Sequence, residues 1–225
     1  MYPIKQWIIR MNRDNSITKE ACVETVEEAI LAEKRGADRV ELCDRLEYDG
    51  LTPSKQNIEK LIMSLSIPIK VMIRPRKGNF IYNEKEIMEM ESKIEMCRSI
   101  GITEVVFGLL KSDKNIDYIS TERLVKKAYP MSVTFHKAID ITSDIFNSIE
   151  KLLSITGITS ILSSGGEKTA YHGKERMKEI INRFGDRFVF IVAGSITESN
   201  LPEIHNFIRA KEYHGRKIVG NLLKE

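Results

Sequence analysis

Short apolar runs alternate with longer amphipathic stretches along this chain, and the alternation repeats eight times. The runs are Ile17–Val23, Asp38–Cys43, Ile67–Arg74, Glu104–Phe107, Met131–His136, Ser160–Ser163, Phe188–Ala193 and Glu212–His214, with helical patterns between them. Strands that alternate with helices require right-handed βαβ crossovers and a parallel sheet. Eight such units within 225 residues predict one closed α/β barrel rather than an open sheet.

Helix-terminus chemistry agrees with the count. Thr25 stands three residues before Glu28, a capping-box spacing, and Gly36 suits a left-handed stop to that helix. Thr52 and Pro53 predict an N-cap and a first-turn proline for the second helix. Asn83 and Glu86 repeat the cap-plus-acid spacing, Gly101 can close that helix, and Gly157 and Gly185 punctuate later ones. This gives two segments: an N-terminal extension, 1–16, and a barrel domain, 17–225. In the extension, Trp7, Ile8 and Ile9 suit packing either under the barrel or against a second subunit.

Side chains two apart on a strand share a face. If Ala21, Val23, Val40 and Leu42 face the helices, then Glu20, Cys22, Glu41 and Cys43 face the barrel interior. Neighbouring strands lie about 4.8 Å apart, so the two thiols should meet where their strands end. By the same parity Met72 and Arg74 point inward from the third strand, with Arg76 within reach of the mouth, and Thr134 and His136 point inward from the fifth. Asp140, Ser163-Ser164-Gly165-Gly166, Gly194-Ser195 and His214 follow on later loops. A mouth that collects carboxylates, thiols, guanidiniums and imidazoles is costly unless the groups are paired or used.

Composition narrows the function. A net charge of +3, with 35 basic and 32 acidic residues interspersed, gives no basic block and therefore no nucleic-acid groove. No apolar run reaches the roughly 20 residues that span a bilayer, and the N-terminus lacks the long apolar region and cleavage site of a signal peptide. Three cysteines form no even-numbered disulfide framework, which predicts a reducing, cytoplasmic setting.

The segments ACVETVEEAILAEKRGADRVELCDRL, GLTPS, VMIRPRKGNFIY, VVFGLL, VTFHKAID, ILSSGGEKTA and EYHGRK closely resemble the CutC family of copper-homeostasis proteins, in order from about Glu20 to Lys217. The resemblance implies a TIM barrel, a cytoplasmic location, a homodimer or higher homo-oligomer, and Cu(I) as the bound metal with no organic cofactor. It also implies Cys22 and Cys43 as copper ligands. Four places depart from the family pattern: Asp49-Gly50, Asp113-Lys114, the AGSIT turn (193–197) in place of a glycine-rich one, and Lys70 in place of an apolar residue. The AGSIT change weakens the expectation of a phosphate cradle built from backbone N–H groups.

Two functions follow. Soft thiolates select Cu(I), so Cys22 and Cys43 on adjacent strands form a two-sulfur site; set against this, free cysteines often only fill a core. Alternatively the barrel is an enzyme for a small anionic substrate. Arg74, Arg76 and His214 would then hold the anion, and Glu20, Glu41, His136 and Asp140 would serve as acid–base groups. Met88, Met90, Met96 and Cys97 look like a thioether box, but Ile87, Met90, Ile94 and Cys97 share helical spacing and read as core.

Overall fold

The computed structural model describes residues 17–222. Eight parallel strands close into a barrel in sequence order: β1 (Thr18–Val23), β2 (Arg39–Leu42), β3 (Ile69–Met72), β4 (Glu104–Phe107), β5 (Ser132–Phe135), β6 (Ile158–Ser163), β7 (Val189–Val192) and β8 (Glu212–Gly215). Seven helices cover it among the described residues: α1 (Val26–Lys34), α2 (Lys55–Ser64), α3 (Glu84–Ser99), α4 (Tyr118–Ala128), α5 (Ile145–Leu152), α6 (Lys174–Phe184) and α7 (Leu201–Ile208). The chain after β8 adds no eighth helix there. This is the predicted TIM barrel, with every expected strand present and β3 two residues shorter at each end. The 1–16 extension, with Trp7, Ile8 and Ile9, lies outside the described residues.

Both predicted capping boxes form, Thr25 with Glu28 on α1 and Asn83 with Glu86 on α3. Gly36 and Gly101 take the expected positive φ, whereas Gly185 stays right-handed at φ −69°. The second helix starts later than predicted, because its N-cap is Ser54. Thr52 instead clamps the end of β3: its hydroxyl accepts from Arg74 N–H at 2.7 Å and donates to Arg74 C=O at 3.1 Å.

Strand parity sorts the chain into two layers. Ala21, Val23, Val40, Leu42, Val71, Ile73, Val105, Phe107, Val133, Phe135 and Ile161 join one apolar layer with the inward faces of the helices. Met90, Ile94 and Cys97 of α3 belong to it, so the methionine-rich helix is core on that face. The opposite strand face fills the barrel, and its lower half is polar. Glu20 receives Arg39 Nε at 2.5 Å, lies 3.4 Å from Lys70 Nζ, and meets His214 Nδ1 at 2.8 Å. Lys70 also donates to Thr134 Oγ1 at 2.9 Å, and Thr134 bonds Ser160 at 2.7 Å. These charges are mutually satisfied, which is the condition on which a barrel interior holds them.

Candidate metal and ligand site at the barrel mouth

At the C-terminal ends of the strands lies a cavity of about 910 Å³. Cys22, Glu41, Cys43, Arg74, His136, Asp140 and His214 all line it, and Arg76 does not. Cys22 is level with Glu41 across the β1–β2 pairing, and Cys43 follows directly after β2, its N–H bonded to Val23 C=O. The sulfurs of Cys22 and Cys43 and a Glu41 oxygen all lie within 4.8 Å of one another. Glu20, Glu41 and His214 form a second such group. Met72, Val106 and Leu46 pack around the two thiols, so the sulfurs sit in an apolar corner that opens to the cavity.

The two thiols are unequal. The Cys43 thiol donates to Glu41 Oε2 at 3.6 Å. Its closeness to the Cys22 sulfur, with the nearby imidazolium of His214, favours the Cys22 anion, so that against the cost of burial the Cys22 thiol falls to about 5. The same closeness to Cys22, with burial and Glu41, pushes Cys43 well above its ordinary value. Burial resists a proton on His214, but Glu41, the Cys22 sulfur and Glu20 more than offset it, holding the ring protonated well above 6.5. Burial also resists charge on Glu20, and Lys70, Arg39 and His214 overcome it, so its carboxyl stays well below the usual range. Glu41 goes the other way: burial, reinforced by the Cys22 and Glu20 charges, pushes its carboxyl up to about 8. Its Oε1 has no hydrogen-bond partner.

Glu41 therefore carries a linked cost. Its proton is held more tightly in the folded chain than in the unfolded one. The stability this supplies is complete below the unfolded carboxyl value and is lost as pH rises toward 8. Glu41→Gln keeps the shape and removes the titration. Its unfolding free energy is expected to match that of the parent near pH 5 and to exceed it by on the order of 2 kcal/mol at pH 8. A difference that does not change with pH in thermal unfolding would contradict this assignment.

The remaining expected site residues divide. Burial, helped by the Arg74 charge, lowers His136 to about 3, which favours the neutral ring at physiological pH. Its Nδ1 accepts from Ala138 N–H at 3.2 Å, which makes Nε2–H the donor, and this buried donor has no partner. Asp140 is spent on structure: Oδ1 accepts from Ser163 Oγ at 2.6 Å and Gly166 N–H at 2.9 Å, while Lys137 holds Oδ2 at 2.5 Å. Arg74 is buried over the Phe80 ring, and its terminal nitrogens donate to the carbonyls of Tyr48, Asp49, Gly50 and Gly78. It ties the loops after β2 and β3 together, leaving little of its fork for a ligand.

Arg76 corrects the expectation of an arginine pair. It follows Pro75, outside the strand, where alternation no longer applies. Its guanidinium bonds Glu86 at 2.5 Å and Ile81 C=O at 2.6 Å and stacks on Tyr82, away from the cavity. Sequence reasoning missed Lys70 and Arg39 as partners of Glu20, although strand alternation places both inward. It also missed Lys137, which lies in a 3-10 turn where alternation gives no signal.

Comparison with known proteins agrees with this architecture. The profile of the CutC family matches residues 17–219. The copper homeostasis protein cutC homolog of Homo sapiens is 38% identical over 200 residues, covering 89% of this chain and 73% of its own. A crystal structure of CutC from Streptococcus agalactiae superposes with a TM-score of 0.85 at 32% identity, covering 90% of this chain and 99% of that one. N-acetylneuraminate lyase from Mycoplasma synoviae, at 13% identity and a TM-score of 0.60, covers 91% of this chain and 70% of its own, and shares the fold alone. An eight-stranded barrel with paired thiols at its mouth, matched in sequence over nearly all its described length, is a member of the CutC copper-homeostasis family.

Proposed function

We propose that the chain binds one Cu(I) ion between Cys22 and Cys43 at the barrel mouth, as its part in copper homeostasis. One observation carries the reading: two buried sulfurs and a carboxylate oxygen share a corner less than 5 Å across, open to a cavity. Cu(I) is soft and prefers thiolates, and the lowering of the Cys22 thiol to about 5 favours the thiolate form before any metal arrives. Cys43 would give up its proton on binding, which makes loading weaker as pH falls. Three buried free thiols suit a reducing cytoplasm, and no described helix is long and apolar enough to cross a membrane. The homo-oligomeric state rests on family likeness, and a sedimentation mass equal to one 25.8 kDa chain would contradict it.

Cu(I) titration in competition with a strong chelator tests the reading. Each single serine replacement, Cys22→Ser or Cys43→Ser, is expected to weaken binding by about a hundred-fold or more, and the double replacement to remove it. Full retention of Cu(I) by the double variant would refute the proposal.

A second reading has its own observation. A volume of about 910 Å³ far exceeds what one ion needs and falls in the roughly 300–1,000 Å³ range of small-molecule sites. In that reading Glu41, still protonated near neutrality, is the acid, and His136 Nε2–H is a donor to a substrate oxygen. Glu20 orients His214 rather than touching substrate. A small anion seated in the cavity would slow alkylation of Cys22; rates that no anion changes would count against this reading.

A further inference from the structure

The cations that remain free for a ligand are not the arginines expected from sequence. Lys168 on the loop after β6, and Arg216 and Lys217 on the loop after β8, line the cavity and make no ion pair with any carboxylate among the described residues. Two carboxylates on this side are already engaged, Glu167 with Arg176 at 3.7 Å and Asp140 with Lys137. Between these two loops runs the turn after β7. Gly194 has φ 104° and Ser195 has φ 57°, so a serine holds the left-handed conformation that glycine adopts more easily. The turn therefore survives the loss of its glycine.

That turn leaves backbone donors unspent. The N–H groups of Gly194, Ser195 and Ile196 find no acceptor among the described residues, and all three residues line the cavity. Successive free N–H groups beside positive-φ residues form concavities that bind anions. The turn is also fixed in place: Gly194 C=O accepts from Ala170 N–H at 2.9 Å, and Thr197 bridges Lys217, whose carbonyl accepts from Glu198 N–H at 2.8 Å. A side chain at position 194 would press on Ser164 Cβ at 2.9 Å and Ala170 N at 3.0 Å, so this close approach needs glycine. Independently, three buried polar atoms belonging to cavity-lining residues, His136 Nε2, Glu41 Oε1 and Arg74 Nε, lack partners.

We propose that the rim formed by the β6, β7 and β8 loops is a phosphate seat for a small phosphomonoester. The N–H groups of residues 194–196 form its cradle, and Lys168, Arg216 and Lys217 supply its charge. A dianion matches three unpaired cations better than a neutral or monoanionic group does. The rest of the cavity leaves room for an organic portion that reaches the unpartnered Glu41 and His136 atoms. The inference rests on the second reading above, that the cavity takes a small molecule.

Calorimetric titration of the full chain at constant ionic strength tests it, with inorganic phosphate and malonate as probes. Wild type should bind phosphate saturably. Lys168→Ala, Arg216→Ala and Lys217→Ala together should weaken it about ten-fold, since three surface charges at roughly 0.5 kcal/mol each amount to one decade. Arg216→Ala alone should weaken it about two-fold and serves if the triple variant is destabilised. Arg76→Ala, which lies off the cavity, should bind phosphate as wild type does. Equal affinity in wild type and the triple variant, or no saturable phosphate binding, overturns the seat. Malonate binding without phosphate binding overturns the phosphate class while the second reading stands; binding of neither probe takes both down.

Discussion

Replacing Glu20 by glutamine is expected to cost about 3–5 kcal/mol of stability, the largest effect of any single polar substitution in the barrel. Glu20 is almost fully buried and answers three cations at once, Arg39, Lys70 and His214. A neutral amide leaves Lys70, itself 1% exposed, with Glu104 at 3.8 Å as its counter-charge and Thr134 as a neutral partner. Removing one member of a buried charge group exposes the others to the full desolvation cost. For a chain of this size the melting temperature should fall by roughly 10 °C. Lys70→Met should cost less, about 1–2 kcal/mol, because Glu20 keeps Arg39 and His214. The sign with pH follows from a carboxyl held below its ordinary value. The stability is present above the unfolded carboxyl value and lost as pH falls, so the gap between wild type and Glu20→Gln should narrow in acid. Equal melting temperatures for Glu20→Gln and wild type at pH 7 would show that the network does not hold the barrel interior together.

The second large effect concerns reactivity. An ordinary thiol rises more than a hundred-fold in thiolate content between pH 6 and pH 9. Cys22, lowered to about 5, is already almost fully ionised at pH 6, so its alkylation rate should change by less than about two-fold over that range. Cys43→Ala removes the side chain that contributes most to this lowering, and the Cys22 inflection should move up in pH. Mass-spectrometric labelling of Cys22 against pH reads both outcomes. An inflection near 8.5 in wild type would mean that Cys22 is an ordinary packed thiol.

The strands and the inward face of each were legible because period-two alternation is a property of the backbone and survives any loop. That reasoning paired Cys22 with Cys43, put Glu41 beside them, and carried His136 to the same cavity. Legibility ended where the strands do. Arg76, one residue past Pro75, turned to Glu86; Lys137 and Asp140 sit in a 3-10 turn whose bonds depend on loop conformation. The α2 cap slipped from Thr52 to Ser54 because Thr52 had a competing tertiary partner in Arg74. Protonation states were the least legible. Glu20 and Glu41 have the same side chain and strand parity, yet one is held ionised and the other neutral by which cations the neighbouring strands supply.

X-ray absorption at the copper edge of the Cu(I)-loaded chain most directly tests the placement of the metal. Two sulfur atoms are expected among the copper's nearest neighbours in wild type, and none in a Cys22→Ser/Cys43→Ser chain forced to load at excess copper. A copper environment of nitrogen and oxygen alone in wild type, or one unchanged by the double replacement, would contradict it.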